Sequence, residues 1–294
     1  HPSKDQAVEG FAREEATGLR SDAPNRNYKD TTTRPEVIVA LSDPFPALAG
    51  LRYLAATRRL VAALADGDGV IILRGHLDAA DPAEALRSAI GWVLGEADAA
   101  EIQQIVAAAA SAESEECAAE LELTRTLSVA YPGDAGIVVA LLMNLVELRR
   151  GEAIFVPAGV LHAYVAGLGV EIMAASDNVL RGGLTPKHID VAELLALVDF
   201  RPAAPPFLRP RPAGDGVELF APGIPDFALA HVREKGQVAL NGISLALSVA
   251  GDAVVTGASG ARVALRPGRA ALLTPDESPV TITGGEVFVA QSGS

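Results

Sequence analysis

The chain has 294 residues, more than a usual single domain, so two domains, or one domain with a large insertion, are expected. Its 24 Lys and Arg against 37 Asp and Glu leave a net charge of −13, which repels nucleic acid and anionic membranes and requires a local cationic pocket for any anionic ligand. Cys117 is the single cysteine, which excludes an intrachain disulfide and suits a reducing cytosol, and no apolar run approaches the roughly twenty residues that span a bilayer.

The chain opens on His1 rather than Met, and HPSKDQAVEGFA contains no signal peptide; the expectation is that sequence preceding His1 is missing. Residues 1–44 read as polar and loop-rich apart from RPEVIVAL, where a β-branched run after Pro35 predicts a strand. From about Phe45 to Ser128 the texture is Ala-rich, with Leu86, Ile90, Val93 and Ala97 at helical spacing. DPAEALRSAIGWVL offers Asp81 as N-cap and Pro82 at the first helical position, so this block is read as several helices.

After Pro132 and Gly133, IVVALLMNLVELRRGEAIFVPAGVLHAYVAG reads as short strands with turns, so the helices are expected to be inserted into a β domain. RPAAPPFLRPRPAGDG, residues 201–216, is Pro-rich and reads as a linker or extended arm. Beyond it FALAHVREKG, ISLALSVAGDAVVTG, ARVALRPGRAALLTP and SPVTITGGEVFVAQ predict a second, smaller β-barrel or sandwich.

Gly151, Pro157, Gly159 and His162 form a G-x5-P-x-G-x2-H spacing that resembles the second half of the cupin metal motif. Gly and Pro close a tight turn, and the strand that follows begins with an imidazole suited to a zinc-class ion. A lone histidine beside Tyr164 and aliphatic residues is more often a hydrogen-bonded core histidine. His76, His188 and His231 are read as ordinary surface or core residues.

The continuation VEIMAASDNVLRGGLTPKHID resembles the V-E-x-M-A-x-S-D-N-V-x-R-x-G-L-T-P-K signature of the type I phosphomannose isomerases. HPSKDQAVEGFA resembles that family's Q-V-H-P-x-K segment without its Q-V, and RNYKDTTTRPEVIVAL resembles its N-Y-K-D-x-x-H-K-P-E segment. The likeness runs from His1 to Arg52 and again from Tyr131 to Phe200, with a weaker echo at the C-terminus.

That resemblance implies zinc held by His1, Glu36 and His162, with the family's glutamine ligand falling just before His1. It implies catalytic roles for Arg181, Glu171, Asp177 and Lys187, and substrate contacts at Arg34, Lys4 and Tyr164. Such charges alone would read as a solvated loop, but Met173, Ala174, Ala175, Gly182, Gly183 and Leu184 around them argue for partial burial, and buried charges need partners or a charged substrate. Thr33 and Arg34 depart from the family's His-Lys, and Arg34 keeps the charge while losing the titratable ammonium.

The expected fold is mainly β with a helical insertion: two cupin-like (jelly-roll) β domains plus an α-helical domain. Residues 1–44 and 129–200 would form the catalytic domain, without its N-terminal part, residues 45–128 the insertion, and residues 201–294 a degenerate cupin-like domain lacking an equivalent histidine.

The implied activity is zinc-dependent interconversion of mannose 6-phosphate and fructose 6-phosphate through an enediol(ate), by a cytoplasmic monomer with no nucleic-acid or membrane partner. Rival readings are a non-catalytic metal- or sugar-binding cupin, and an isomerase of another phosphorylated sugar.

Overall fold

The computed structural model describes residues 1–293. It opens with helix α1 (Lys4–Ala16), where the sequence alone predicts loop. Ser3 caps it by accepting from the Gln6 amide while the Gln6 side chain accepts from the Ser3 amide, a capping box that satisfies two orphan donors. Tyr28, fully buried, packs against Gly10, where a Cβ would lie only 2.3 Å from the ring.

Strand β1 (Glu36–Ala40) is the predicted strand and is buried throughout. Strand β2 (Phe45–Leu51) follows where the helical block is expected to begin, so the helices start only at Leu54. They are α2 (Leu54–Ala62), α3 (Asp68–His76), α4 (Pro82–Gly95), α5 (Ala99–Ser111), α6 (Ala118–Ala130) and α7 (Gly136–Leu141). Asp81 caps α4 ahead of Pro82 as predicted, and Leu86, Ile90 and Val93 are buried on its inner face. Helix α7 forms from IVVAL, a β-branched run that reads as a strand; its complete burial among the other helices overrides that local preference.

Strands β3 (Met143–Leu148), β4 (Ala153–Val156), β5 (His162–Tyr164) and β6 (Gly169–Met173) return to the first domain. They make two three-stranded antiparallel sheets, β4-β1-β6 and β3-β2-β5. Ile38 and Ala40 from one sheet and Ala47 and Ala49 from the other share a core, so the sheets pack face to face. Because side chains alternate along a strand, the opposite face of β1, Val37 and Val39, packs outward against Phe220, Leu229 and Phe288 of the C-terminal domain.

Helix α8 (Val191–Leu197) precedes the Pro-rich arm, which runs along β4: Phe155 donates to Pro206 and Leu208 donates to Ala153. The C-terminal domain contains β7 (Arg211–Pro212), β8 (Val217–Phe220), β9 (Ala228–Val238), β10 (Ser244–Ala250), β11 (Ala253–Thr256), β12 (Arg262–Leu265), β13 (Ala270–Leu273) and β14 (Val280–Gln291). These pair into one eight-stranded sheet around a core that includes Val232, Ala246, Val255 and Val287. Arg150 of the first domain pairs with Glu286 on β14, and Glu286 accepts from the buried His231 at 2.8 Å. Among the described residues, no helix is long and apolar enough to cross a membrane.

Candidate functional site

Register decides what faces the interior of the first domain. Glu36 lies on the same face of β1 as Ile38, opposite Met173 on β6, while Glu171 pairs with Ile38. On the other sheet His162 pairs with Ala49 and Tyr164 with Ala47, both inward-facing core residues. Four polar side chains, Glu36, Glu171, His162 and Tyr164, thus meet between the sheets. They line a cavity of about 1070 Å³.

His1 joins them from outside the sheets. Its carbonyl accepts from the Gly159 amide at 2.9 Å, and the next carbonyl, of Pro2, accepts from the Thr33 hydroxyl at 2.8 Å. His1 Nε2 then lies 3.3 Å from Glu36 Oε2, and His162 Nε2 lies 2.7 Å from Glu36 Oε1. The donor atoms of His1, Glu36 and His162 all fall within 4.8 Å of one another.

The ring nitrogens turned away are both engaged: His1 Nδ1 meets the Asn178 carbonyl at 2.9 Å and His162 Nδ1 meets the Val160 carbonyl at 3.1 Å. A carbonyl only accepts, so Nδ1–H donates to it in each ring, and Nε2 is the nitrogen turned to Glu36. Two imidazoles oriented through Nδ1, each presenting Nε2, together with one carboxylate suit zinc.

Burial opposes ionisation of Glu36, but the hydrogen bonds from His1 and His162 together outweigh it and hold the carboxyl well below the usual range. The Tyr164 hydroxyl donates to Glu36 Oε1 at 2.9 Å. Burial, then the charges of Glu36 and Glu171, pushes its pKa far up, so Tyr164 acts as a donor and not as a phenolate. Glu171 is raised too, by burial first and then by the charge of Glu36, which makes it a stronger base than a solvated carboxylate.

The charged loop closes the cavity. Arg34 donates to the Ser176 carbonyl at 2.9 Å and brings its Nε within 4.0 Å of Glu36 Oε2. Asp177 is exposed, its amide held by Asp30 Oδ2 at 2.8 Å and its carboxylate 3.9 Å from Arg34. Arg181 and Lys187 line the wall, and among the described residues neither has a carboxylate within 4.0 Å, which leaves both cations available to an anion. Asp134 Oδ1 accepts from the Gly136 and Leu184 amides and ties this loop to α7. Gly183 has a positive φ of 123°, and its missing Cβ would meet the Gly136 Cα at 2.3 Å, so only glycine permits this close approach.

The cavity therefore gathers every residue expected from sequence except Lys4. Lys4 is exposed, donates to the Thr31 carbonyl at 2.8 Å and is not among the residues that line the cavity. Lys29 and His188 do line the cavity and were not expected to; Lys29 lies within the RNYKD segment and His188 directly follows Lys187. His76, bonded to Ser88, and His231, bonded to Glu286, lie outside the cavity.

No family model matches the chain. It is 35% identical over 288 residues to mannose-6-phosphate isomerase of Salmonella typhimurium, covering 97% of this chain and 72% of that one. It is 36% identical to the Escherichia coli protein of the same name, with the same coverage. The crystal structure of the Salmonella typhimurium enzyme bound to fructose 6-phosphate and zinc superposes with a TM-score of 0.87 at 33% identity, covering 100% of this chain and 75% of that one.

Proposed function

This chain belongs to the mannose-6-phosphate isomerase family, and from that membership we infer that it interconverts mannose 6-phosphate and fructose 6-phosphate as a zinc-dependent aldose-ketose isomerase. The observation that carries this reading is the convergence of His1, Glu36 and His162 in a cavity whose wall also holds Arg181 and Lys187.

His1, Glu36 and His162 would hold the zinc, which supplies Lewis acidity toward the sugar oxygens. The other steps belong to side chains. In the open-chain aldose the C2 proton must leave and C1 must gain one, while a hydroxyl proton passes from O2 to O1. Glu171 is our carbon base: it takes the C2 proton and returns it at C1, and its raised pKa suits both directions. Arg181 neutralises the charge that develops on the enediolate oxygens.

Asp177 and Lys187 serve ring opening, and Lys187 also suits the phosphate. Tyr164, held protonated, donates toward Glu36 and the sugar, and Arg34 contacts the substrate as a permanent cation. The same reading makes the protein a cytoplasmic monomer that acts on a small phosphosugar, with no nucleic-acid or membrane partner; its support is the acidic composition and the single buried cysteine.

The test is conversion of mannose 6-phosphate to fructose 6-phosphate before chelation, after it, and with zinc restored. Activity lost with the chelator and regained with zinc is the expected result; an inert protein under all three conditions would remove the reading.

A further inference from the structure

The two histidines of the metal centre are supported differently. His162 lies in a paired strand, and its Nδ1 partner, the Val160 carbonyl, belongs to its own turn. His1 lies outside any strand or helix, and its Nδ1 partner is the carbonyl of Asn178, 177 residues away in sequence. Whatever fixes that carbonyl fixes the His1 ring.

Asn178 is completely buried, and its side chain uses all its hydrogen-bonding capacity on one neighbouring segment. Oδ1 accepts from the Lys29 and Asp30 amides at 2.7 and 3.2 Å. Nδ2 donates to the Asp30 and Thr32 carbonyls at 2.8 and 2.9 Å. The Ser176 hydroxyl adds a second cross-link, to Asp30 Oδ1 at 2.9 Å and the Thr32 carbonyl at 3.1 Å. The clamped segment continues through Thr33, whose hydroxyl holds Pro2 beside His1, into Glu36.

We propose that Asn178 is a positioning residue for the metal centre: its side chain locks the 176–178 loop to the 29–32 segment, so that its own carbonyl holds His1 Nδ1–H and leaves Nε2 aimed at the metal position. This rests on His1, Glu36 and His162 being the zinc ligands. Without the Asn178 amide, the Lys29 and Asp30 N–H groups and the Asp30 carbonyl lose its contacts and the Thr32 carbonyl keeps only the Ser176 hydroxyl, the loop relaxes to rehydrate them, and the carbonyl that partners His1 moves.

The experiment measures zinc affinity by competition with a chromophoric chelator, and the visible absorption of the cobalt-substituted protein, for the parent, His162→Ala, Asn178→Ala and Ser176→Ala. Folding is checked by circular dichroism of the metal-free proteins. Asn178→Ala is expected to bind zinc roughly ten- to a hundredfold more weakly and to show an altered cobalt spectrum, with Ser176→Ala shifted less in the same direction.

A folded Asn178→Ala protein that keeps zinc affinity within about tenfold of the parent overturns the inference, even if its melting temperature falls. If Asn178→Ala does not fold, Ser176→Ala decides: a loss greater than about threefold supports the inference and a smaller one overturns it. A parent that binds no zinc, or a His162→Ala protein that binds it as well as the parent, overturns the ligand assignment and this inference with it.

Discussion

Glu36 and His162 approach to 2.7 Å although they belong to different sheets, Glu36 at the start of β1 and His162 at the start of β5. The face-to-face packing of the two sheets therefore brings the proposed ligands together, and Glu36 is the residue both histidines share. Glu36→Gln keeps the shape but removes the charge and one of its two acceptor oxygens. Zinc affinity should fall by roughly a hundredfold or more, beyond the usual effect of an outer-sphere change, in a protein that still folds. Equilibrium dialysis against buffered zinc measures it, and unchanged affinity would disprove the carboxylate's role.

Arg181 and Lys187 are separable by kinetics. Arg181→Ala should lower kcat by about two to three orders of magnitude, because it removes charge stabilisation that grows in the transition state. Lys187→Ala should raise KM more than it lowers kcat if its ammonium grips phosphate, and lower kcat if it acts in ring opening. Steady-state assays in both directions distinguish these outcomes. Near-parent turnover by Arg181→Ala would sink its assignment.

The convergence of His1, Glu36 and His162 and the charged loop on one cavity was legible because their order along the chain survives as motif, and strand alternation then turns Glu36, His162, Tyr164 and Glu171 inward. Helix α1 was not legible because Ala7 and Gly10 are its only buried residues, leaving no apolar stripe to read. Its one local signal was the Ser3 and Gln6 capping box. Strand β2 was obscured by Pro46 and Gly50 within an Ala-rich run, and α7 by β-branched residues whose helical state is imposed by burial. The support given by Asn178 depends on backbone groups 146 to 149 positions away, so the sequence holds the residue but not its partners.

The interdomain contact should make stability depend on pH. Burial lowers the His231 pKa below its usual value, and Arg233 adds to this against the opposing pull of Glu286 and Glu218. A depressed histidine pKa means the unfolded chain takes up a proton before the folded one does. Stability is therefore full above the unfolded value, about 6.5, and is lost as pH falls from there toward the folded value. Melting temperatures between pH 8 and pH 5 should fall more steeply for the parent than for His231→Gln, and parallel curves would disprove the linkage.

Gly10 connects packing to the site. Its missing Cβ would stand 2.3 Å from the Tyr28 ring, and Tyr28 is fully buried with its hydroxyl donating to Glu193 at 2.5 Å. Gly10→Ala must push α1 away from that ring, which overpacking places at about 1 to 3 kcal/mol of lost stability. Because His1 lies just ahead of α1, the displacement should also weaken zinc binding, whereas an equally destabilising change in the helical insertion, such as Ile105→Val, should not. Chemical denaturation of the metal-free proteins together with zinc titration tests the link, and a destabilised Gly10→Ala protein with parent-like zinc affinity would show that α1 and the metal centre are not coupled.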